Sequence, residues 1–141
     1  MVGRTNRYAI ADTAQQVVGG FLLTGPFVVT EEVWTLAANM RWWHTLFTVG
    51  IVFAIGYGAL YEADDDRDPD QEAEVAGVPV RFVSLMIVSF GSVATLAVAF
   101  TAPWTFLEGS PPREMAVTTL KAVSVGAIFS VAGAATADSV F

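Results

Sequence analysis

The sequence predicts an all-α, polytopic membrane protein: a single membrane domain with four transmembrane helices. Hydrophobic residues make up 54% of the 141 residues and charged residues only 15%, whereas an average soluble domain has roughly 25% charged residues. A soluble chain of this length could not bury so much apolar surface, because small domains bury the lowest fraction of their chain. The apolar residues also fall into four stretches, each close to the ~20 residues that cross a bilayer.

These four stretches predict helices at about 14–39, 42–61, 82–106 and 115–137. Aromatic residues lie near the helix ends, as expected at a membrane interface; they are Trp42, Trp43, Tyr57, Tyr61 and Trp104. The first two helices are joined by only a few residues around Met40 and Arg41, and we expect them to form a tight antiparallel hairpin. Four crossings place both termini on one side of the membrane, but the Lys and Arg residues are too evenly divided to orient the protein.

The first helix carries Gly25-Pro26 near its middle, and this pair predicts a kink because proline removes a backbone donor. A break at membrane depth can free backbone carbonyls that coordinate an ion or a substrate. A kink that only serves helix packing is the alternative interpretation.

Glu31 and Glu32 follow this kink within two turns. If the helix continues to Met40, the two carboxylates lie about 13 Å from its end, a depth at which charged residues are candidates for a functional site. Thr24 and Thr35 share the helix face of Glu31 and extend the candidate ion-binding or proton-binding set. The alternative is that the bilayer boundary falls near Thr30.

Lys121 and His44 belong to the same predicted end of the protein. Lys121 lies about 9 Å inside the fourth helix and His44 begins the second helix, so both could meet Glu31 and Glu32 in one pocket. The alternatives are a Lys121 side chain that reaches to the interface and an interfacial His44.

The remaining composition excludes several functions. The net charge of −7 and the seven basic residues give no basic stripe for nucleic acid. The chain has no cysteine and one histidine, so we expect no bound metal and no cofactor. It also lacks a nucleophile elbow and a phosphate-binding loop, and we therefore expect that it is not an enzyme.

The linker at 62–79 holds eight of the fourteen carboxylates, between Glu62 and Glu74. A calcium loop of the EF-hand type starting at Asp64 would need glycine sixth and glutamate twelfth, where this chain has Pro69 and Val75. The linker is therefore predicted to be a solvated acidic surface or one that collects cations weakly. Together with the single lysine, this composition is typical of halophilic archaea.

Small residues recur at three- or four-residue spacing on single helix faces and predict close helix packing. The second helix has Gly50, Ala54 and Gly58; the third has Ser92, Thr95 and Ala99; the fourth has Ala122, Gly126, Ser130 and Ala134. We expect packing within the chain and, through the second or fourth helix, a homo-oligomer. A polar path lined by Ser and Thr is the alternative.

Three segments, 21–34 with its Thr-Gly-Pro and Glu-Glu pairs, 55–61 and 77–86, resemble a family of integral membrane proteins of unknown function common in haloarchaea. The resemblance implies a polytopic membrane protein of haloarchaeal origin and supplies no activity. From the residues we predict a multi-pass cell-membrane protein in the lipid bilayer. We expect it to be a subunit of an ion or proton channel or transporter in which the intramembrane Glu31 and Glu32 bind a proton or small cation. The alternative is a non-transporting scaffold or accessory subunit in which the same residues fix helix packing.

Overall fold

The computed structural model describes residues 10–62, 74–75 and 77–140. The helices of this part are α1 (Ile10–Val28), α2 (Glu31–Asn39), α3 (Trp42–Tyr57), α4 (Val80–Ala99), α5 (Ala102–Phe106) and α6 (Pro112–Val140). A π-helical turn (Gly58–Glu62) extends α3, and two-residue strands β1 (Glu74–Val75) and β2 (Val78–Pro79) pair antiparallel. The all-α architecture is confirmed. Most of the acidic linker, including Asp64–Asp70, lies outside the described residues, so its solvated character stays a prediction.

Three helices are long and apolar enough to cross a membrane: Trp42–Tyr61, Val80–Ala99 and Pro112–Ser139. The pair α1 and α2 passes the same test together but is bent by 82° at its break. The described residues therefore contain three candidate spans, or four if the bent pair counts as one. The sequence prediction of a multi-span membrane protein agrees with this architecture.

The first predicted helix is bent, but the bend is not at Gly25-Pro26. The α-helix continues through Pro26 and ends at Val28, and Thr30 then takes an extended conformation before α2. Thr30 donates to the Phe27 carbonyl from its backbone nitrogen, at 3.3 Å, and from its hydroxyl, at 2.9 Å. These bonds occupy a carbonyl that the next turn of α1 would use, and the β-branched residues at 28–30 favour leaving the helix.

The third predicted helix is also divided. α4 ends at Ala99, and Thr101 has a left-handed backbone with φ 59° before the short helix α5 begins. Pro103 is the second residue of α5 and has no N–H to continue the ladder of α4. The chain therefore turns at Thr101 instead of running straight to Phe106.

The core lies between α1, α4 and α6, whereas α3 packs on the outside. In an 18-residue apolar stretch of α4 and of α6, 39% of residues are buried, against 17% in the corresponding stretch of α3 and its extension. α1 and α6 meet at Gly19 and Gly133, where a Cβ built on Gly19 would lie 2.2 Å from the Gly133 carbonyl oxygen. The absence of side chains at both positions is what lets the two backbones touch.

The small-residue faces of α6 and α3 differ in burial. The face of α6 is buried inside the chain: Gly126 packs against Val93, and Ser130 against Gly20. The face of α3 is open, since no described atom lies within 4 Å of a Cβ built on Gly50 or Gly58. Small-residue packing within the chain is thus confirmed for α6, and the homo-oligomer stays a prediction for which α3 supplies the free face.

Candidate functional site

A charged cluster joins α1, α4 and α6 at the end of the bundle where the described chain begins and ends. We call it the terminal cluster; its members are Asp12, Gln16, Arg81, Ser84 and Asp138. Arg81 donates from Nη1 to Asp138 Oδ1 at 2.7 Å and from Nη2 to Asp12 Oδ2 at 3.3 Å. The side chains of Arg81 and Asp138 are 5% and 0% exposed and that of Asp12 is 23% exposed. Two carboxylates from different helices therefore share one guanidinium, and Asp12 connects the cluster to its surroundings.

Gln16 completes the cluster from inside the bundle. It is fully buried and donates from Nε2 to Asp138 Oδ2 at 3.0 Å and to the Arg81 carbonyl at 3.5 Å. Its own amide oxygen accepts a bond of 2.7 Å from Ser84 Oγ. Both carboxylate oxygens of Asp138 thus have a donor, as a buried charge requires.

Sequence reasoning did not find this site. Arg81 and Asp138 lie within a few residues of predicted helix ends, where charges are usually in contact with water. The usable signal was the spacing of Asp12 and Gln16, four residues apart and hence on one helix face. Nothing in the sequence pairs that face with Arg81, which is 69 residues from Asp12, or with Asp138, which is 122 residues from Gln16.

The interface between the three helices stays polar below the terminal cluster. Ser130 Oγ donates to the Gly20 carbonyl at 3.3 Å, and a Cβ built on Gly20 would lie 3.1 Å from Ser92 Oγ. The hydroxyls of Ser92 and Thr24 are buried and have no hydrogen-bond partner among the described residues. Thr24, predicted as part of the ion-binding face, therefore lies in the protein core, and residues 12, 16, 20 and 24 form one inner stripe of α1 at four-residue spacing.

Trp34 holds the break between α1 and α2. Its indole nitrogen donates to the Val28 carbonyl at 3.0 Å, its side chain is 1% exposed, and its ring stacks on Phe106 with a centroid distance of 6.0 Å. Val33 and Ala37 are buried beside it. One face of α2 is thereby fixed on the bundle, and the opposite face is free.

Glu31 and Glu32 lie on the first turn of α2 and are exposed. Neither forms an ion pair with another described residue. The N-terminus of a helix favours negative charge, which stabilises carboxylates at these two positions. Thr35 is exposed one turn further along α2, so the bend separates it and the glutamates from Thr24.

Lys121 and His44 both contact the connection between α2 and α3. Lys121 Nζ donates to the Met40 carbonyl, and His44 Nδ1 accepts a bond of 2.9 Å from the Arg41 backbone nitrogen. The predicted meeting of Glu31 and Glu32 with these two side chains is not present among the described contacts. The reason is geometric: the glutamates begin α2 and Met40 follows its end, about 13 Å away along the helix axis.

Lys121 also lines an open cavity of about 540 Å³ with Arg113, Glu114 and Thr118. This cavity lies where α6 begins, at the end of the bundle opposite the terminal cluster. In the described ranges, no group of three or more His, Asp or Glu side chains could hold a metal ion. The candidate site therefore consists of two separate regions on the first span: the terminal cluster at the start of α1 and the exposed glutamates after its break.

Comparison with known proteins shows the family. The model of the family described as "Putative integral membrane protein (DUF2391)" matches residues 3–139. The chain belongs to this family. No curated protein and no solved structure matches it.

Proposed function

We propose that this DUF2391 protein moves a proton or a small cation across the membrane, as a subunit of a homo-oligomer in the cell membrane. Glu31 and Glu32 are the carboxylates that face the ion, and Thr35 lies beside them on the same open face of α2. The observation that carries the proposal is the break at residues 29–30, which turns α2 by 82° and presents two carboxylates without an ion-pair partner in the described structure.

The level of α2 in the bundle supports this role. Met40, at the end of α2, contacts Lys121, which lies nine residues after the first residue of α6 and hence about 13 Å from its end. A carboxylate that lies within the hydrocarbon core at this level is unfavourable by several kcal/mol unless water or a partner reaches it. An oligomer that gathers the α2 helices of several copies around a water-filled axis supplies that environment.

The architecture of the span supports the same proposal. Half-helices that break within a membrane commonly surround ion and substrate sites, because their ends point polar backbone groups at the ligand. Here the carbonyls of Phe27 and Val28 are occupied by Thr30 and Trp34. The charge that remains available at the break therefore comes from Glu31 and Glu32. In this proposal the protein is a transporter that uses no cofactor, and it is not an enzyme.

A second candidate function is a non-transporting scaffold or accessory subunit. The favouring observation is the tight contact of Gly19 with Gly133, which closes the interface between α1 and α6 at that level. In this case the terminal cluster serves to fix the register of three helices, and Glu31 and Glu32 face water at the membrane surface.

Liposome flux of the purified protein separates the two candidates. We expect the wild type to dissipate an imposed gradient of protons or of a small cation, and Glu31→Gln with Glu32→Gln to abolish that flux without loss of assembly. Glu108→Gln is the matched control, because Glu108 is another exposed carboxylate outside α2. Absence of flux in the wild type for H⁺, Na⁺, K⁺, Ca²⁺ and Cl⁻ under either polarity would refute transport and leave the scaffold.

A further inference from the structure

We infer that the transported species is a proton and that the terminal cluster sets this specificity. The inference rests on the proposed transport function and names its substrate. It is carried by the pairing of Arg81 with Asp12 and Asp138, a charged group inside the bundle that Glu31 and Glu32 do not contact in the described structure.

Arg81 makes the cluster unsuitable for a metal cation. Its guanidinium keeps its positive charge at all relevant pH values and lies 2.7 Å from the Asp138 carboxylate. The other oxygen of Asp138 is taken by Gln16 at 3.0 Å. A metal ion would have to displace both donors and would then face the positive charge of Arg81 in a poorly solvated environment.

A proton needs no such displacement. Asp12 is the partly exposed carboxylate of the cluster, and its bond to Arg81, at 3.3 Å, is longer than that of Asp138. When Asp12 takes a proton from hydronium, one O–H bond breaks in the water and one forms on the carboxylate. Arg81 remains paired with Asp138 during this step. Release of the proton reverses it, with no further reactant.

The interior below the cluster fits a proton better than a hydrated ion. Ser92 and Thr24 each keep a buried hydroxyl without a hydrogen-bond partner among the described residues, and Ser130 offers a third hydroxyl at the level of Gly20. Hydroxyls and water molecules between them can pass a proton by exchanging hydrogen bonds.

The test compares ion selectivity in liposomes that carry a proton gradient, a Na⁺ gradient or a K⁺ gradient. We expect the wild type to dissipate the proton gradient alone. We expect Asp12→Asn to lower the proton flux to the level of protein-free vesicles. Arg81→Gln should admit Na⁺ and K⁺, whereas Arg81→Lys, which retains the positive charge, should continue to exclude them.

The exposed Arg113 provides the control, since Arg113→Gln removes a guanidinium far from the cluster and should keep wild-type flux and selectivity. A wild type that passes Na⁺ or K⁺ would overturn the inference while leaving transport intact. So would an Asp12→Asn variant with wild-type proton flux, and this result holds even if Arg81→Gln fails to fold. A wild type without any flux would refute the proposed function itself and is thereby distinguished from these outcomes.

Discussion

Replacement of Gly19 by alanine should destabilise the protein, although alanine is the better helix former. The new Cβ would lie 2.2 Å from the Gly133 carbonyl oxygen and 2.7 Å from Ala137 Cβ. Ordinary contacts of this kind begin at 3.4 Å, so α1 and α6 must move apart locally by 3.4 minus 2.2, about 1.2 Å. Both atoms in the way belong to rigid parts of α6, the backbone and a Cβ, and cannot rotate aside.

The size of the effect follows from two opposing terms. A radial gap of about 0.5–1 Å already removes a quarter to a half of the van der Waals attraction between facing atoms, and overpacking in a core costs about 1–3 kcal/mol. Exchange of glycine for alanine inside a helix returns about 0.5–1 kcal/mol. The expected loss in free energy of unfolding is therefore about 1–2 kcal/mol for Gly19→Ala.

Reversible unfolding in mixed detergent micelles, followed by circular dichroism as SDS is increased, measures this difference. Gly91→Ala is the matched control because Gly91 lies in α4 and no described atom comes within 4 Å of its Cβ position; this change should be neutral or slightly stabilising. If Gly19→Ala proved as stable as Gly91→Ala, the close crossing of α1 and α6 would not exist in the folded protein.

Three further predictions concern single contacts. Trp34→Phe keeps an aromatic ring beside Phe106 but leaves the buried Val28 carbonyl without its donor, so the free energy of unfolding should fall by about 1–3 kcal/mol in the same assay. Trp43→Phe is the control, because Trp43 is 51% exposed and its replacement should change the stability little. Equal losses in the two variants would contradict the role of Trp34 at the break. Arg81→Met should lose about 3–5 kcal/mol because it leaves Asp138 buried and unpaired, and adding Asp138→Asn should recover part of that loss; additive effects of the two changes would argue against the pair. A double-mutant cycle of Glu31→Gln with Lys121→Met should give a coupling energy below about 0.5 kcal/mol, because Lys121 bonds to Met40 and not to the glutamate. A coupling energy above about 1 kcal/mol would instead support the ion pair that the sequence predicts.

The membrane helices could be predicted from the sequence because their signal is local. The length and the boundaries of a run of apolar residues, such as the one between Trp42 and Tyr61, can be read directly from the sequence. The positions of the helix breaks were harder to predict from the sequence. Gly25-Pro26 indicated a bend, but the actual turn depends on hydrogen bonds that Thr30 and Trp34 make at the break between α1 and α2. The bond from Trp34 requires that α2 is already packed on the bundle.

The terminal cluster could not be predicted because its signal is not local. Asp138 meets Gln16, 122 residues earlier, and neither position carries a motif that names the other. Conversely, Lys121 and Glu31 were placed at one depth by counting residues along straight helices. The 82° turn between α1 and α2 makes that estimate wrong. The axis of α2 runs across the bundle, so residue number along α2 does not measure depth along the bundle.

α1 carries a stripe of polar side chains on its inner face, and this stripe explains how the helix packs. α1 taken alone is not among the helices apolar enough to cross a membrane, since Asp12, Gln16 and Thr24 interrupt its hydrophobic run. Such a helix is stable in a bilayer when its polar stripe faces protein, and α4 and α6 supply that environment through Arg81 and Asp138. We therefore expect α1 to depend on α4 and α6 for its place in the membrane. The span that is least able to insert alone is also the one that carries polar groups from the terminal cluster towards the break.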